Sequence, residues 1–107
     1  MKRVEIPFNS DEKWCFEAKM KDGRKFMTTR SKKYGEPGDI FEAFGEGFVI
    51  VKILPTPLRH VAAVFYKGEG FDTSKEFIQC WNELHPRKTF EKDEAAIKFV
   101  HVFHRVR

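Results

Sequence analysis

The ten residues from Ile97 to Val106 are apolar or aromatic at most positions and leave no polar face. A strand of this kind is buried on both sides or closes a barrel, so the rest of the chain must wrap around it. At 107 residues there is room for one core only, and residues 1–107 are expected to form a single domain. Size scaling has such a chain bury roughly 65% of its unfolded surface, which suffices without disulfide or metal. Twelve phenylalanines and 41% hydrophobic residues provide the filling, despite 34% charged residues.

The remaining segments are short and punctuated. Arg3–Phe8 is a short strand or extended lead-in, since Pro7 stops a helix. Asn9 with Glu12 forms a capping-box pattern, opening a helix over about 10–21 that Gly23 ends in the left-handed conformation. A strand Lys25–Arg30 follows; strict alternation puts Phe26, Thr28 and Arg30 on one face and Lys25, Met27 and Thr29 on the other. Gly35–Asp39 is a turn with Pro37 and Gly38 at type II positions. Ile40–Phe44 and Phe48–Leu54 read as a β-hairpin broken by Pro55-Thr56-Pro57. Arg59–Tyr66 is ambiguous, its β-branched and aromatic content favouring strand. Thr73 with Glu76 repeats the capping box, and Phe77, Trp81 and Leu84 make the apolar face of a second helix that His85-Pro86 closes. Arg87 to about Glu94 is a polar loop. The expected class is α+β, a strongly curved sheet of five or six strands with two helices.

Charge is unevenly placed. Between Lys21 and Tyr34 lie Lys21, Arg24, Lys25, Arg30, Lys32 and Lys33 against one acid, Asp22, whereas the whole chain carries only +4. The positive excess is this segment, and a local concentration attracts a polyanion. Its plain interpretation is a solvated strand edge, where lysines deter aggregation. Its functional one is a cleft wall: Arg30 offers a planar fork to phosphate or carbonyl, Lys25 a point charge, and Thr28 a hydroxyl. Tyr34, Tyr66, Phe71 and Phe90 fall in or near loops, where a base can stack, although each also suits the core.

Other chemistries lack their patterns. His60, His85, His101 and His104 have no ligand spacing and Cys15 and Cys80 form no CxxC, so neither metal nor cofactor is expected. Both cysteines fall in segments read as helical, where buried thiols are the usual outcome. The apolar runs are far too short to span a bilayer and Met1–Pro7 lacks a signal-peptide core, which leads to a cytoplasmic protein without membrane contact.

Gly23, Lys25, Thr28 and Arg30 fill all four places of G-x-K-x-x-T-x-R, and at these residues the chain resembles the ASCH domain family of the PUA-like superfamily. The resemblance extends through Gly35, Gly38 and Asp39, Glu69-Gly70-Phe71 and Leu84-His85-Pro86, nearly the whole domain. It implies a small PUA-like β-barrel whose signature lines a cleft for RNA or a nucleotide-like ligand, here Lys25, Thr28, Arg30 and Glu69, with Lys32, Lys33 and Tyr34 alongside. One branch of the family hydrolyses the amide of N-acetylcytidine, and that implies Lys25, Thr28 and Glu69 as catalytic residues. Glu69 stands one residue further from the helix than the family's spacing, and Glu76 competes for the role. A module binding RNA or a modified nucleotide, a small amidohydrolase, and a protein-interaction domain that uses the fold and not the cleft all remain open on the sequence.

Overall fold

The computed structural model describes residues 1–9 and 13–106. Its elements are α1 (Phe16–Lys21), β1 (Met27–Arg30), β2 (Ile40–Ala43), β3 (Glu46–Pro57), α2 (Leu58–His60, running into a π-helical segment Val61–Phe65), α3 (Ser74–Leu84), α4 (Phe90–Asp93) and β4 (Ile97–Arg105). The class is α+β: a curled, antiparallel half-barrel sheet in the order β1-β4-β3-β2, with four short helices. The terminal strand β4 lies inside the sheet, hydrogen-bonded to β1 on one side and β3 on the other. That position is why it carries no polar face. A register shift between Ile50 and Lys52 marks a bulge in β3, which adds local twist where the sheet curls.

Among the described residues four strands form where five or six are expected. The N-terminal lead-in contributes only an isolated bridge, Arg3 to Ile40. The segment from Arg59 to Tyr66 is helical, not a strand. Leu58, Val61, Ala62 and Phe65 recur at i, i+3, i+4 and i+7, and the first three are fully packed in the core. Reading from Arg59 omits Leu58 and hides this period. Pro55-Thr56-Pro57 does not break β3, which continues to Pro57 along β4. β2 pairs only with Glu46–Val49, so this end of β3 has an open edge where a proline forfeits no ladder bond. The polar loop after Pro86 holds the one-turn α4.

The local signals at the helices hold where they fall on described residues. Thr73 Oγ1 accepts from Glu76 N at 3.1 Å while Glu76 Oε1 accepts from Thr73 N at 3.2 Å, a complete capping box. Gly23 has φ +86° after α1, and Gly38 has φ +95° in the turn closed by Asp39 N to Glu36 O at 3.0 Å. The Asn9–Glu12 cap falls on Glu12, outside the described residues; α1 itself begins at Phe16, after a left-handed Cys15. Cys15 is exposed, not buried in a helix, whereas Cys80 is buried on α3. Among the described residues no helix is long and apolar enough to cross a membrane.

Two apolar clusters fill the molecule. One joins Trp14, Phe16, Phe71, Phe77 and Trp81 to Leu58, Val61 and Val100. The other stacks Phe41, Phe48 and Phe103 with Met20, Ile6 and Ile50. A cavity opens between α3, β1 and the lead-in.

Candidate functional site

β1 begins at Met27, so Lys25 precedes the strand and is not bound by its alternation. Its backbone N–H instead donates to Lys19 O at 2.9 Å, and its side chain turns inward until only 4% is exposed, while Phe26 faces solvent. The expected face assignment therefore fails twice: Lys25 is inside, and adjacent Thr28 and Thr29 are both buried. β1 is an edge strand of the sheet, but the 66–71 loop covers it, with Gly68 O accepting from Phe26 N at 2.9 Å and Met27 N at 3.0 Å. Gly68 packs closely on this strand: a Cβ there would lie 2.8 Å from the Met27 sulfur, and the Met27 side chain would have to shift. This close docking brings Glu69 to the signature.

Lys25, Thr28, Arg30 and Glu69 line one cavity of about 310 Å³. Lys25 Nζ donates to Met27 O at 2.8 Å and to Glu69 O at 2.9 Å, and lies 3.7 Å from Glu69 Oε1. The two carbonyls take two of the amine's hydrogens, and the carboxylate is beyond hydrogen-bond reach. Burial pulls the Lys25 pKa below its usual value, the Glu69 charge opposing and Arg30 reinforcing that shift. Glu69 Oε2 accepts from Thr29 Oγ1 at 2.8 Å, so the carboxylate is fixed by a hydroxyl the signature does not include.

Arg30 Nε donates to Thr28 Oγ1 at 3.1 Å, which leaves the threonine hydrogen for another acceptor. The guanidinium carbon sits 4.9 Å over the Phe8 ring and 5.8 Å over Tyr34, bracketed by aromatics from the lead-in and the following loop. Burial lowers the Arg30 pKa, with Tyr34 and Glu69 opposing; a guanidinium stays charged all the same.

Lys32, Lys33 and Tyr34 do not line the cavity. Lys32 is exposed, its ammonium 5.0 Å over the Tyr34 ring, and Lys33 pairs with Glu36 at 3.3 Å. Tyr34 braces Arg30 from outside. Of the other loop aromatics, Phe71 reaches the cavity wall, whereas Tyr66 and Phe90 pack against the core. Glu76 serves the α3 cap.

Sequence reading missed the opposite wall. The α3 residues Phe77, Cys80, Trp81 and Leu84 present their i, i+3, i+4, i+7 face to the cavity, and His85 follows them. The periodicity was visible, but a core-facing stripe and a pocket-facing stripe look alike in sequence. Pro7, Phe8, Asn9, Phe16 and Thr29 complete the missed set. Among the described residues no group of three or more His, Cys, Asp or Glu side chains is placed to hold a metal. The site thus offers a fixed carboxylate, a fixed guanidinium, a desolvated amine and two hydroxyls within aromatic walls.

No family model matches this sequence, and no curated protein matches it. Solved structures do resemble the fold. The hypothetical protein PH0355 superimposes with a TM-score of 0.69 at 16% identity, over 99% of this chain and 100% of that one. Protein PF0455 from Pyrococcus furiosus gives 0.60 at 16% identity, over 100% and 99% of the two chains. Protein EF3133 from Enterococcus faecalis V583, of family DUF984, gives 0.57 at 22% identity, over 83% of this chain and 68% of that one. The likeness is one of fold: a small half-barrel domain, shared with proteins of similar architecture across nearly the entire length of this chain.

Proposed function

We propose that this chain is a PUA-like ASCH domain that binds a single nucleobase, free or within RNA, in the cavity between β1 and α3. The observation that carries the reading is the convergence of Lys25, Thr28, Arg30 and Glu69 on one wall of a cavity whose other wall is aromatic. At about 310 Å³ the space suits one nucleoside and not an oligonucleotide. Planar ligands with both donors and acceptors at their edges match a site with a carboxylate, a guanidinium and aromatic faces. Lys32 and Lys33, exposed next to Tyr34, which flanks Arg30, serve as contacts to flanking phosphates. Calorimetric titration with the four ribonucleosides and with a short single-stranded RNA tests this. Arg30→Gln is expected to weaken both ligands, whereas Lys32→Ala and Lys33→Ala weaken only the RNA and each lower its salt slope by about one. No binding by any of them removes the reading.

A second reading, deacylation of N-acetylcytidine or a related acylated base, is favoured by the buried amine. Lys25 is held below its usual pKa by burial and donates to two carbonyls; in its neutral form it would offer a lone pair for proton transfer. Thr28 would then supply the nucleophile and Glu69 would fix water or substrate. Cytidine release from N-acetylcytidine that vanishes in Lys25→Ala and Thr28→Ala establishes it; no turnover above the buffer rate discards it.

A further inference from the structure

We propose that His85 Nε2 is the hydrogen-bond acceptor through which the cavity reads an N–H or O–H donor on its ligand, an inference that rests on the nucleobase-binding reading above. The imidazole is held in one place and one tautomer. Its Nδ1–H donates to Trp81 O at 3.0 Å, and its backbone N–H donates to the same carbonyl at 2.8 Å. The ring stacks on the Trp81 indole, centroids 3.9 Å apart and planes within 20°. Pro86 restricts the backbone from the other side. Trp81 is itself anchored, its indole N–H donating to Lys88 O at 3.3 Å.

With Nδ1 carrying the hydrogen, Nε2 bears a lone pair. Among the described residues Nε2 takes no hydrogen bond, and the ring lines the same cavity as Lys25, Thr28, Arg30 and Glu69. A histidine whose Nδ1–H is tied to a backbone carbonyl keeps Nε2 free to accept a proton or a hydrogen bond from a ligand in the pocket that its ring lines. Burial and the cations Lys98 on β4 and Arg30 on β1 disfavour its protonation, while the Trp81 carbonyl and Asp93 on α4 favour it; burial leads, so the ring is neutral at pH 7. The ligand class that follows is a base with an amino or imino hydrogen at the edge presented to α3. Protonation replaces the acceptor by a donor and expels it.

The test titrates adenosine, cytidine, guanosine and uridine by calorimetry into the wild type, His85→Phe and His85→Gln, at about pH 5.5 and about pH 7.5, on either side of the usual imidazole value. Circular dichroism verifies that each variant is folded. His85→Phe keeps a ring on Trp81 and removes the acceptor; His85→Gln restores a carbonyl acceptor that does not titrate. The expected result is a nucleoside whose affinity at the higher pH falls about ten-fold in His85→Phe. It is partly recovered in His85→Gln, and the wild type weakens more on acidification than either variant. Equal affinities and equal pH profiles in all three overturn the proposal while leaving the cavity reading in place. Absence of binding by every nucleoside overturns both.

Discussion

Lys25 is the residue where fold and chemistry compete most directly. An ammonium 4% exposed is costly, which is why burial lowers the Lys25 pKa; two backbone carbonyls, the ring of Phe16 at 5.0 Å and the nearby Glu69 carboxylate offset part of that cost. Truncating one member of such a pair leaves the other charge buried, so Lys25→Met is expected to cost about 3–5 kcal/mol. Lys25→Met combined with Glu69→Leu removes both charges. Since the orphaned carbonyls are common to the two variants, urea denaturation that shows the double variant recovering most of the loss isolates the charge. Equal destabilisation of the two would show that the carbonyl contacts, and not the carboxylate, hold Lys25 in place. The motif residues 23, 25, 28 and 30 were legible as chemistry from their spacing. The inward turn of Lys25 was not, because it depends on where β1 begins, and Thr29 gave no signal because its role is set by a glutamate forty residues away.

At the scale of elements, two features position the site, and they differ in how visible they are. The α3 cap was readable as Thr73 with Glu76, because a capping box is local. Thr73→Ala is expected to cost about 1 kcal/mol and to lower the melting temperature without altering the cavity residues' partners. The docking of the 66–71 loop against β1 was invisible, because it depends on a contact between Gly68 and Met27 that no local pattern encodes. A Cβ at residue 68 would meet the Met27 sulfur at 2.8 Å and the Phe26 ring at 3.1 Å. Gly68→Ala must therefore displace the Met27 and Phe26 side chains or move the loop on β1, and the second outcome stretches the two bonds to Gly68 O and carries Glu69 away from Thr29. It is expected to cost at least about 1 kcal/mol and to perturb the backbone resonances of Met27, Thr29 and Glu69 together. Confinement of the change to residue 68 would refute that coupling. The same contrast explains α2. Its helical period starts at Leu58 and ends in a π-helical turn, and β-branched residues there outweigh a pattern that only the buried face makes plain.

Over the whole molecule, β4 ties the cavity to the rest of the sheet, and His101 is the residue through which it does so. Wholly buried and paired across from Thr28, His101 donates from Nδ1 to Phe99 O at 3.0 Å and accepts at Nε2 from Tyr34 N at 3.0 Å. The Tyr34 ring packs edge-on against the imidazole and braces Arg30. Protonating Nε2 sets one donor against another at the base of that brace. Burial leads in holding the His101 pKa below its usual value, aided by Arg30 and Lys33 and opposed by the Phe99 and Thr28 backbone groups. His85 is shifted the same way. For a base whose folded pKa is depressed, the unfolded chain binds the extra proton first, so stability is complete above the unfolded imidazole value near 6.5 and is lost as pH falls through it. Melting temperature is therefore expected to stay level between about pH 7 and 8 and to drop steadily below about pH 6.5. Proton NMR over the same range should show the Tyr34 amide and the Arg30 side-chain signals broadening together, since the imidazole holds the Tyr34 N–H and the Tyr34 ring flanks the guanidinium. A melting temperature unchanged down to about pH 5 would mean that His101 titrates at its free value and bears none of this load.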